Sequence, residues 1–196
     1  MPMLMTDEIP ILNEAAKVKR NLNQDNHDRW GFAIYRCTYG DDGAWDRFKD
    51  IISTRAQKEI LELDEPEILD KLEWTIFDNR DIFDHATTDF LCKHFNQWRS
   101  AKWQHEQPRA TRPTEAMLLK TPRYRYFIGV DREAFDSVLS APAHWIQGPR
   151  PPVGFISLTL CGQPRWMMLT RTPKNSICPA WISSLLKVVG RKMWAG

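Results

Sequence analysis

Arg36 is the side chain best placed to do chemistry in this 196-residue chain, because the pattern around it predicts a buried charge. Residues 30–39 (WGFAIYRCTY) have the aromatic and β-branched content of a buried strand. In a strand, Arg36 shares a face with Trp30, Phe32 and Ile34, since alternate side chains point the same way. An unpaired buried cation is unstable. Arg36 therefore either binds a carboxylate or phosphate in a pocket or pairs with an internal acidic residue.

Residues 78–85 (DNRDIFDH) hold a second group of reactive side chains, with three carboxylates and one imidazole. The segment follows a predicted strand, and sites often lie at strand ends, so we predict Asp78 as a general base and Asp81 as a substrate contact. Asp78, Asp81 and His85 match no known metal-ligand spacing, and we predict no metal. Turn and helix-cap chemistry is the alternative explanation for Asp78 and Asp84.

A third group lies in residues 123–130, which we predict to form a strand. Arg123 and Arg125 would share one face of this strand, and Tyr124 and Tyr126 the other. Interleaved arginine and tyrosine can contact phosphates and stack on bases, and five more basic residues precede them between positions 99 and 120. The alternative is a solvent-facing strand whose arginine stems cover apolar neighbours.

The full candidate site combines these groups with a few other residues. The predicted catalytic residues are Asp78, Tyr35 and His144, and the predicted substrate-binding residues are Arg36, Asp81, Trp74, Arg123, Arg125 and Tyr126. His144 lies in a proline-rich loop, where it is free to act. His94 falls on the apolar side of a predicted helix, which favours a hydrogen-bonded core histidine. Ser157 lacks the G-x-S-x-G turn of a triad nucleophile.

The elements that must position these residues follow the order β-α-β-α-β-α-β-β-α. Strands are predicted over about residues 29–39 and over residues 72–77, 123–130, 153–160 and 165–171. Helices are predicted to begin after the turn at residues 40–43, at Asp84, at Asp131 and at Pro179. This order predicts one α+β domain over residues 29–196, after a polar arm (residues 1–28) with at most a short helix near residues 14–20. We expect a mixed or largely antiparallel sheet of about five strands, with helices on one face and a ferredoxin-like character. Proline-rich loops are predicted near residues 104–122 and 142–152. Neither a G-x-G-x-x-G run nor a Walker loop follows a strand, and we predict no cofactor.

Charge is divided unevenly along the chain. Residues 1–90 hold 11 Lys/Arg and 20 Asp/Glu, a balance of −9, and residues 91–196 hold 16 and 5, a balance of +11. Either the two halves interleave and their charges compensate, or the second half binds an anion or RNA while the acidic half receives a cationic substrate group.

The cysteines and the apolar segments bear on compartment. The four cysteines form no C-x-x-C pair, which argues against a zinc site or a disulfide framework. We find no secretory signal and no run long enough to cross a bilayer, so we expect a cytoplasmic protein without membrane contact.

Several segments carry a resemblance to known proteins. They are residues 29–39 with Trp45 and Phe48, residues 84–87 with Phe95 and Trp98, and residues 124–126 before Val130 and Asp131. Together they resemble a large family of uncharacterised small proteins of ascomycete fungi, over roughly residues 27–170. The chain after Arg165 departs from that pattern.

In size and in lacking known motifs, the chain is also similar to the fungal arginine-containing cyclodipeptide synthases. That resemblance implies an aminoacyl transferase that joins amino acids taken from charged tRNAs without a cofactor. It assigns no residues.

Two functions from different classes follow. The first is a cofactor-independent enzyme of fungal specialised metabolism, acting on a small molecule or an aminoacyl-tRNA. The second is a non-catalytic module that binds a small anion, RNA or a protein through its tryptophan- and arginine-rich surface.

Overall fold

The computed structural model describes residues 13–107, 121–140 and 157–160. The helices are α1 (Glu14–Gln24), α2 (Asp42–Glu62), α3 (Arg80–Phe83), α4 (Thr88–Glu106), α5 (Pro122–Arg125) and α6 (Arg132–Leu139), with a 3-10 turn at Pro66–Ile68. The strands are β1 (Ala33–Arg36), β2 (Thr75–Phe77), β3 (Tyr126–Val130) and β4 (Ser157–Leu160).

The four strands form one sheet in the order β2-β1-β3-β4. Strand β1 is parallel to both β2 and β3, with Ile34 opposite Ile76 on one side and Ile128 on the other, and β4 is antiparallel to β3. The prediction of an α+β protein with a mixed sheet is confirmed. The prediction of about five largely antiparallel, ferredoxin-like strands is wrong for the described residues, which show four strands, three of them parallel. A helical crossover carries the chain back to the same end of the sheet, so the strands it joins run parallel.

Helices cover both faces of the sheet, although the sequence predicts helices on one face. On one face Ile34 packs in a buried cluster with Trp45 and Phe48 of α2, which α1 and α6 also join. On the other face Tyr35 packs with Phe95 of α4. Coverage of both faces explains why β1 is apolar at consecutive positions instead of alternating with polar residues.

The described part of the predicted arm is a packed helix. Helix α1 begins after Asn13, whose side chain accepts a hydrogen bond from the Ala16 N–H at 2.8 Å. Its apolar residues recur at helical spacing and lie in the core with α2: Ala15, Val18 and Leu22. The domain therefore includes residues that the sequence pattern places outside it.

Element boundaries differ from the predictions at several places, and β1 is shorter than the strand predicted over residues 29–39. The strand predicted over residues 123–130 begins at Tyr126, because Pro122 opens a helical turn before it. The strand predicted over residues 72–77 shortens to Thr75–Phe77. The helix predicted to start at Asp84 is capped instead by Thr87, whose hydroxyl accepts from the Phe90 N–H.

Several predicted elements lie outside the described residues. They are the strand at residues 165–171, the helix opened by Pro179, the loop at 142–152 and most of the loop at 104–122. Within the described ranges, none of the helices has the length and hydropathy to cross a lipid bilayer.

Candidate functional site

The loops after β1 and β2 leave the sheet toward opposite faces. The first loop leads into α2, in the cluster with Trp45, and the second leads into α3 and α4, in the cluster with Tyr35. In open parallel sheets such a divergence leaves a crevice at the carboxyl ends of the strands, where ligands bind. The side chains gathered at this edge are Arg36, Tyr39, Asp42, Trp45 and Asp78, which we call the carboxyl-end site.

Arg36 is the last residue of β1, and its side chain is 5% exposed. Its Nε donates to the Thr38 carbonyl at 3.1 Å, and Nη1 donates to the two Asp78 carboxylate oxygens at 3.2 and 3.4 Å. Nη2 donates to Asp42 Oδ1 at 2.7 Å and to the Asp41 carbonyl at 3.5 Å. The guanidinium thus joins the loop after β1 to the loop after β2. Of the two alternatives for Arg36, ligand binding or pairing with an internal acidic residue, the structure shows the internal pair.

Two aromatic rings lie beside this guanidinium. The ring centroids of Tyr39 and Trp45 are 4.5 and 5.1 Å from Arg36 Cζ, within cation–π range. The Tyr39 hydroxyl and Trp45 Nε1 are buried, and Trp45 Nε1 makes no hydrogen bond within the described part of the chain. Burial, with the Asp78 carboxylate nearby, raises the pKa of Tyr39 to about 12. The Tyr39 hydroxyl therefore keeps its proton at neutral pH.

The charge that this site presents to solvent is negative. The side chains of Asp42 and Asp78 are 89% and 36% exposed, so each carboxylate reaches water while it holds Arg36. Burial opposes the charge on Arg36, but these two carboxylates outweigh it and raise the pKa of Arg36. Asp41 caps α2 through the Ala44 N–H at 2.8 Å, so the amino end of the helix faces carboxylates. The arrangement suits a cationic ligand group better than a phosphate.

The rest of the 78–85 segment serves local structure. Asp81 is exposed in the first turn of α3, and its N–H donates to the Asn79 side chain at 3.1 Å. His85 has a φ of +53° and donates its N–H to the Cys37 carbonyl at 3.1 Å. Across residues 13–107, 121–140 and 157–160, no three His, Cys, Asp or Glu side chains are grouped so as to hold a metal ion.

Arg123 lies at the opposite, amino-terminal edge of the sheet and is wholly buried. Its Nε and Nη2 donate to the two Glu106 oxygens at 2.8 and 3.0 Å. Nη1 donates to the Glu73 carbonyl, and Nη2 also donates to Thr75 Oγ1, both at 2.8 Å. The substrate-binding role predicted for Arg123 does not fit a side chain without exposed surface. Its contacts tie α5 to the end of α4 and the start of β2.

Glu106 and Gln107, which the sequence did not indicate as functional, complete this buried network. The Tyr124 hydroxyl donates to Glu106 Oε2 at 3.0 Å, and Gln107 Nε2 donates to the Tyr124 oxygen at 3.1 Å. The Gln107 amide also bonds both the N–H and the carbonyl of Arg29, as a neighbouring strand would. Glu106 and Gln107 precede Pro108 at a helix end, a position typical of solvated residues, so no local signal marks them.

Tyr35 and His94 form a pair on the face of the sheet opposite Arg36. The buried Tyr35 hydroxyl lies 2.9 Å from Nδ1 of the half-buried His94. The structure therefore does not bring Tyr35 together with Asp78, although both are predicted catalytic residues. His94 makes the hydrogen bond predicted for a core histidine, but it is half-buried instead of lying in the core. Burial lowers the pKa of His94 below its usual value.

The remaining predicted site residues are separate from the carboxyl-end site. Trp74 is half-buried and stacks on Phe32 at 6.3 Å, within the core face of α2. Tyr126 is buried in the same cluster, and the Arg125 guanidinium lies 5.0 Å from its ring. Because Tyr126 and Arg123 are buried, this strand is not an exposed stacking platform for bases. His144 lies outside the described residues.

Comparison with models of known protein families, with curated proteins and with solved structures finds no match to this chain.

Proposed function

We propose that the chain is a cofactor-independent biosynthetic enzyme that binds a cationic group of its substrate at the carboxyl-end site. The observation that carries the proposal is the position of the exposed carboxylates of Asp42 and Asp78, where the loops after two adjacent parallel strands leave toward opposite faces of the sheet. That point is where open α/β sheets bind ligands. Asp78 is the group with the exposure and the strand-end position of a general base.

The charge balance of the site supports a cation as the bound group. Arg36 contributes one positive charge but uses all three nitrogens internally, so it offers little to an incoming anion. Asp42 uses one oxygen for Arg36, which leaves the other for a ligand N–H. A guanidinium or an ammonium group would bind across the two carboxylates.

The specific form of the proposal is tRNA-dependent formation of an arginine-containing cyclodipeptide in fungal specialised metabolism. Its support is the similarity to the fungal arginine-containing cyclodipeptide synthases in size and in the lack of known motifs, together with the charge division between the two halves of the chain. A guanidinium substrate suits the acidic site, and the basic residues after position 90 suit tRNA phosphates.

Expression in a bacterial host tests the specific form. The medium of cells that make the protein should contain an arginine-containing diketopiperazine that is absent from vector controls, and tRNA should copurify. Asp78→Asn should lower the amount of product at least about tenfold, because it removes a negative charge that binds the substrate cation. Asp136→Asn is the control, because Asp136 is an exposed carboxylate on α6 and the substitution removes the same charge. This variant should leave the amount of product unchanged. Absence of both diketopiperazine and tRNA would eliminate this form.

Calorimetry with arginine and with inorganic phosphate tests the general form. Arginine should bind the wild-type protein, lose affinity in Asp78→Asn and keep it in Asp136→Asn. Phosphate should not bind. Tight phosphate binding without arginine binding would show that the site prefers anions and would refute the proposal.

A non-catalytic binding module is the second candidate. It is favoured by the extent to which Arg36 is locked in place, because a pre-organised site binds well without performing a reaction. Arginine binding with no new metabolite would select this candidate. RNA contact in either case would have to use basic residues other than the buried Arg123.

A further inference from the structure

The orientation of the Asp78 carboxylate is not set by Arg36 alone. Arg36 Nη1 lies 3.4 and 3.2 Å from the two Asp78 oxygens, so one donor is shared between both at nearly the same length. A shared donor holds the carboxylate close but leaves its plane free to rotate about the Cβ–Cγ bond. Asp78 follows β2 directly and its side chain is 36% exposed. A catalytic base in such a position needs a further group to orient it.

Tyr39 supplies a hydroxyl on the protein side of this carboxylate. It lies three residues after the end of β1, and its ring centroid is 4.5 Å from Arg36 Cζ. The hydroxyl oxygen is shielded from water. Asp78 acts on this hydroxyl through its charge and as a hydrogen-bond acceptor. Tyr39 therefore contacts both members of the Arg36–Asp78 ion pair, the guanidinium with its ring and the carboxylate with its hydroxyl.

The Tyr39 hydroxyl is a lasting donor. Burial raises the pKa of Tyr39 to about 12, and the Asp78 charge adds to this rise while the Arg36 charge opposes it. The hydroxyl thus keeps its proton at neutral pH and donates it to the ionised carboxylate. It does not compete with Asp78 as a proton acceptor.

We propose that Tyr39 is a positioning residue for Asp78. Its hydroxyl and Arg36 Nη1 bind the carboxylate from the protein side and turn the remaining oxygen lone pairs toward solvent, where the substrate cation binds. This role rests on the function proposed above for the carboxyl-end site. Tyr39 itself does not touch the substrate, because its hydroxyl has no surface that a ligand could reach.

Tyr39→Phe tests the positioning role, because it keeps the ring beside Arg36 and removes only the hydroxyl. In calorimetry, arginine should bind this variant about fivefold more weakly than the wild type, the effect of one lost hydrogen bond. Equal affinities for arginine would show that the hydroxyl does not orient Asp78.

NMR titration of the Tyr39 ring carbon Cζ tests the contact without any ligand. Asp78→Asn should let Tyr39 ionise about 1 pH unit lower than in the wild type, because the carboxylate charge that opposes ionisation is gone. Asp42→Asn is the matched control: Asp42 also bonds Arg36, at 2.7 Å, and the substitution removes the same charge. The ionisation of Tyr39 in this variant should match the wild type. A tyrosine that only packs on Arg36 would respond equally to both substitutions.

The two kinds of failure are distinct. Wild-type protein that binds no arginine would refute the proposed function and, with it, the positioning role. Arginine binding that Tyr39→Phe leaves unchanged, or equal effects of Asp78→Asn and Asp42→Asn on Tyr39, would overturn this inference alone and leave the proposed function standing.

Discussion

The buried guanidinium groups of Arg36 and Arg123 are each held by several acceptors, and neither is free for a ligand. Arg36 bonds two carboxylates and two backbone carbonyls, and Arg123 bonds Glu106, Glu73 and Thr75. Such pairs need good geometry, because each ion loses hydration on burial. They differ in their most closely bonded carboxylate: Asp42, which pairs with Arg36, is 89% exposed, whereas Glu106, which pairs with Arg123, is 12% exposed.

Replacing Arg123 by Met should lower the free energy of unfolding by about 3–5 kcal/mol at pH 7, because it leaves Glu106 charged and buried without its partner. Adding Glu106→Gln should recover at least half of the loss. Urea denaturation of the two single variants and the double variant measures the coupling. A double variant less stable than Arg123→Met would contradict this explanation.

The pH dependence of that pair follows from the pKa of Glu106. Burial opposes ionisation, but Arg123 outweighs it and holds the pKa of Glu106 below its usual 4.5. Stability from the pair is therefore present above about pH 4.5 and is lost as pH falls through the lower, folded-state pKa. The difference in free energy of unfolding between the wild type and Arg123→Met should decrease as the pH is lowered.

The half-buried histidines His27 and His94 should make the fold sensitive to mild acid. Burial lowers the pKa of both His94 and His27 below 6.5. For a group whose pKa is depressed by folding, stability is full above about pH 6.5 and falls as pH drops through the folded-state pKa. Thermal melts should show a lower Tm at pH 5 than at pH 7, and His94→Gln should reduce this difference. An unchanged pH profile in His94→Gln would show that His94 is not responsible.

Among the elements, the entry to β1 depends on one close backbone approach. Gly31 has a φ of +124°, and a Cβ added there would lie 2.1 Å from the Glu73 carbonyl oxygen. The neighbouring residue Trp30 is hydrogen-bonded to the same segment, since the Glu73 N–H donates to the Trp30 carbonyl and Trp30 pairs with Leu72. Glycine at this position lets the chain run against residues 72–74 before the ladder of β1 and β2 begins.

Gly31→Ala should destabilise the protein by more than about 3 kcal/mol, because backbone strain is combined with a clash against a backbone atom. Gly40→Ala is the control: Gly40 has a φ of +139°, but nothing lies within 4 Å of its added Cβ. Gly40→Ala should lower the free energy of unfolding by about 1–3 kcal/mol, from backbone strain alone. Chemical denaturation of both variants measures the difference, and equal losses would mean that the close approach to Glu73 has no energetic weight.

At the scale of the whole molecule, the sheet is tied at both ends by arginines. Arg36 joins the loops at the carboxyl ends of β1 and β2, and Arg123 joins helices α4 and α5 to the amino end of β2. Strand β2 is three residues long, so these ties supplement its short ladder to β1.

The two ties should act independently, because they share no partner and contact opposite ends of β2. Arg36→Lys and Arg123→Lys each keep the charge and lose the planar fork, which should cost about 1–2 kcal/mol. The double variant should lose the sum of the two within about 0.5 kcal/mol. A coupling above about 1 kcal/mol in urea denaturation would show that β2 transmits strain between the ties.

The sequence by itself determined the elements that depend on neighbouring residues. The apolar run with Arg36 predicts β1, Asp41 and Asp131 mark the starts of α2 and α6, and alternation of strand and helix gives the α+β class. It also predicts that the Arg36 charge is buried, since its phase with apolar residues requires it. Each of these inferences uses contacts within one element or one turn.

Only the tertiary structure decided which distant residues meet. The parallel order of β1 and β2 brings Asp78 to Arg36 and places Tyr35 with His94 on the other face, and the packing of α4 and α5 buries Arg123 against Glu106. These pairs are 17 to 59 residues apart in the chain. Side-chain periodicity within a segment states which face a residue occupies but not what covers that face. Whether an arginine contacts a ligand or forms an internal ion pair depends on which residues pack on that face.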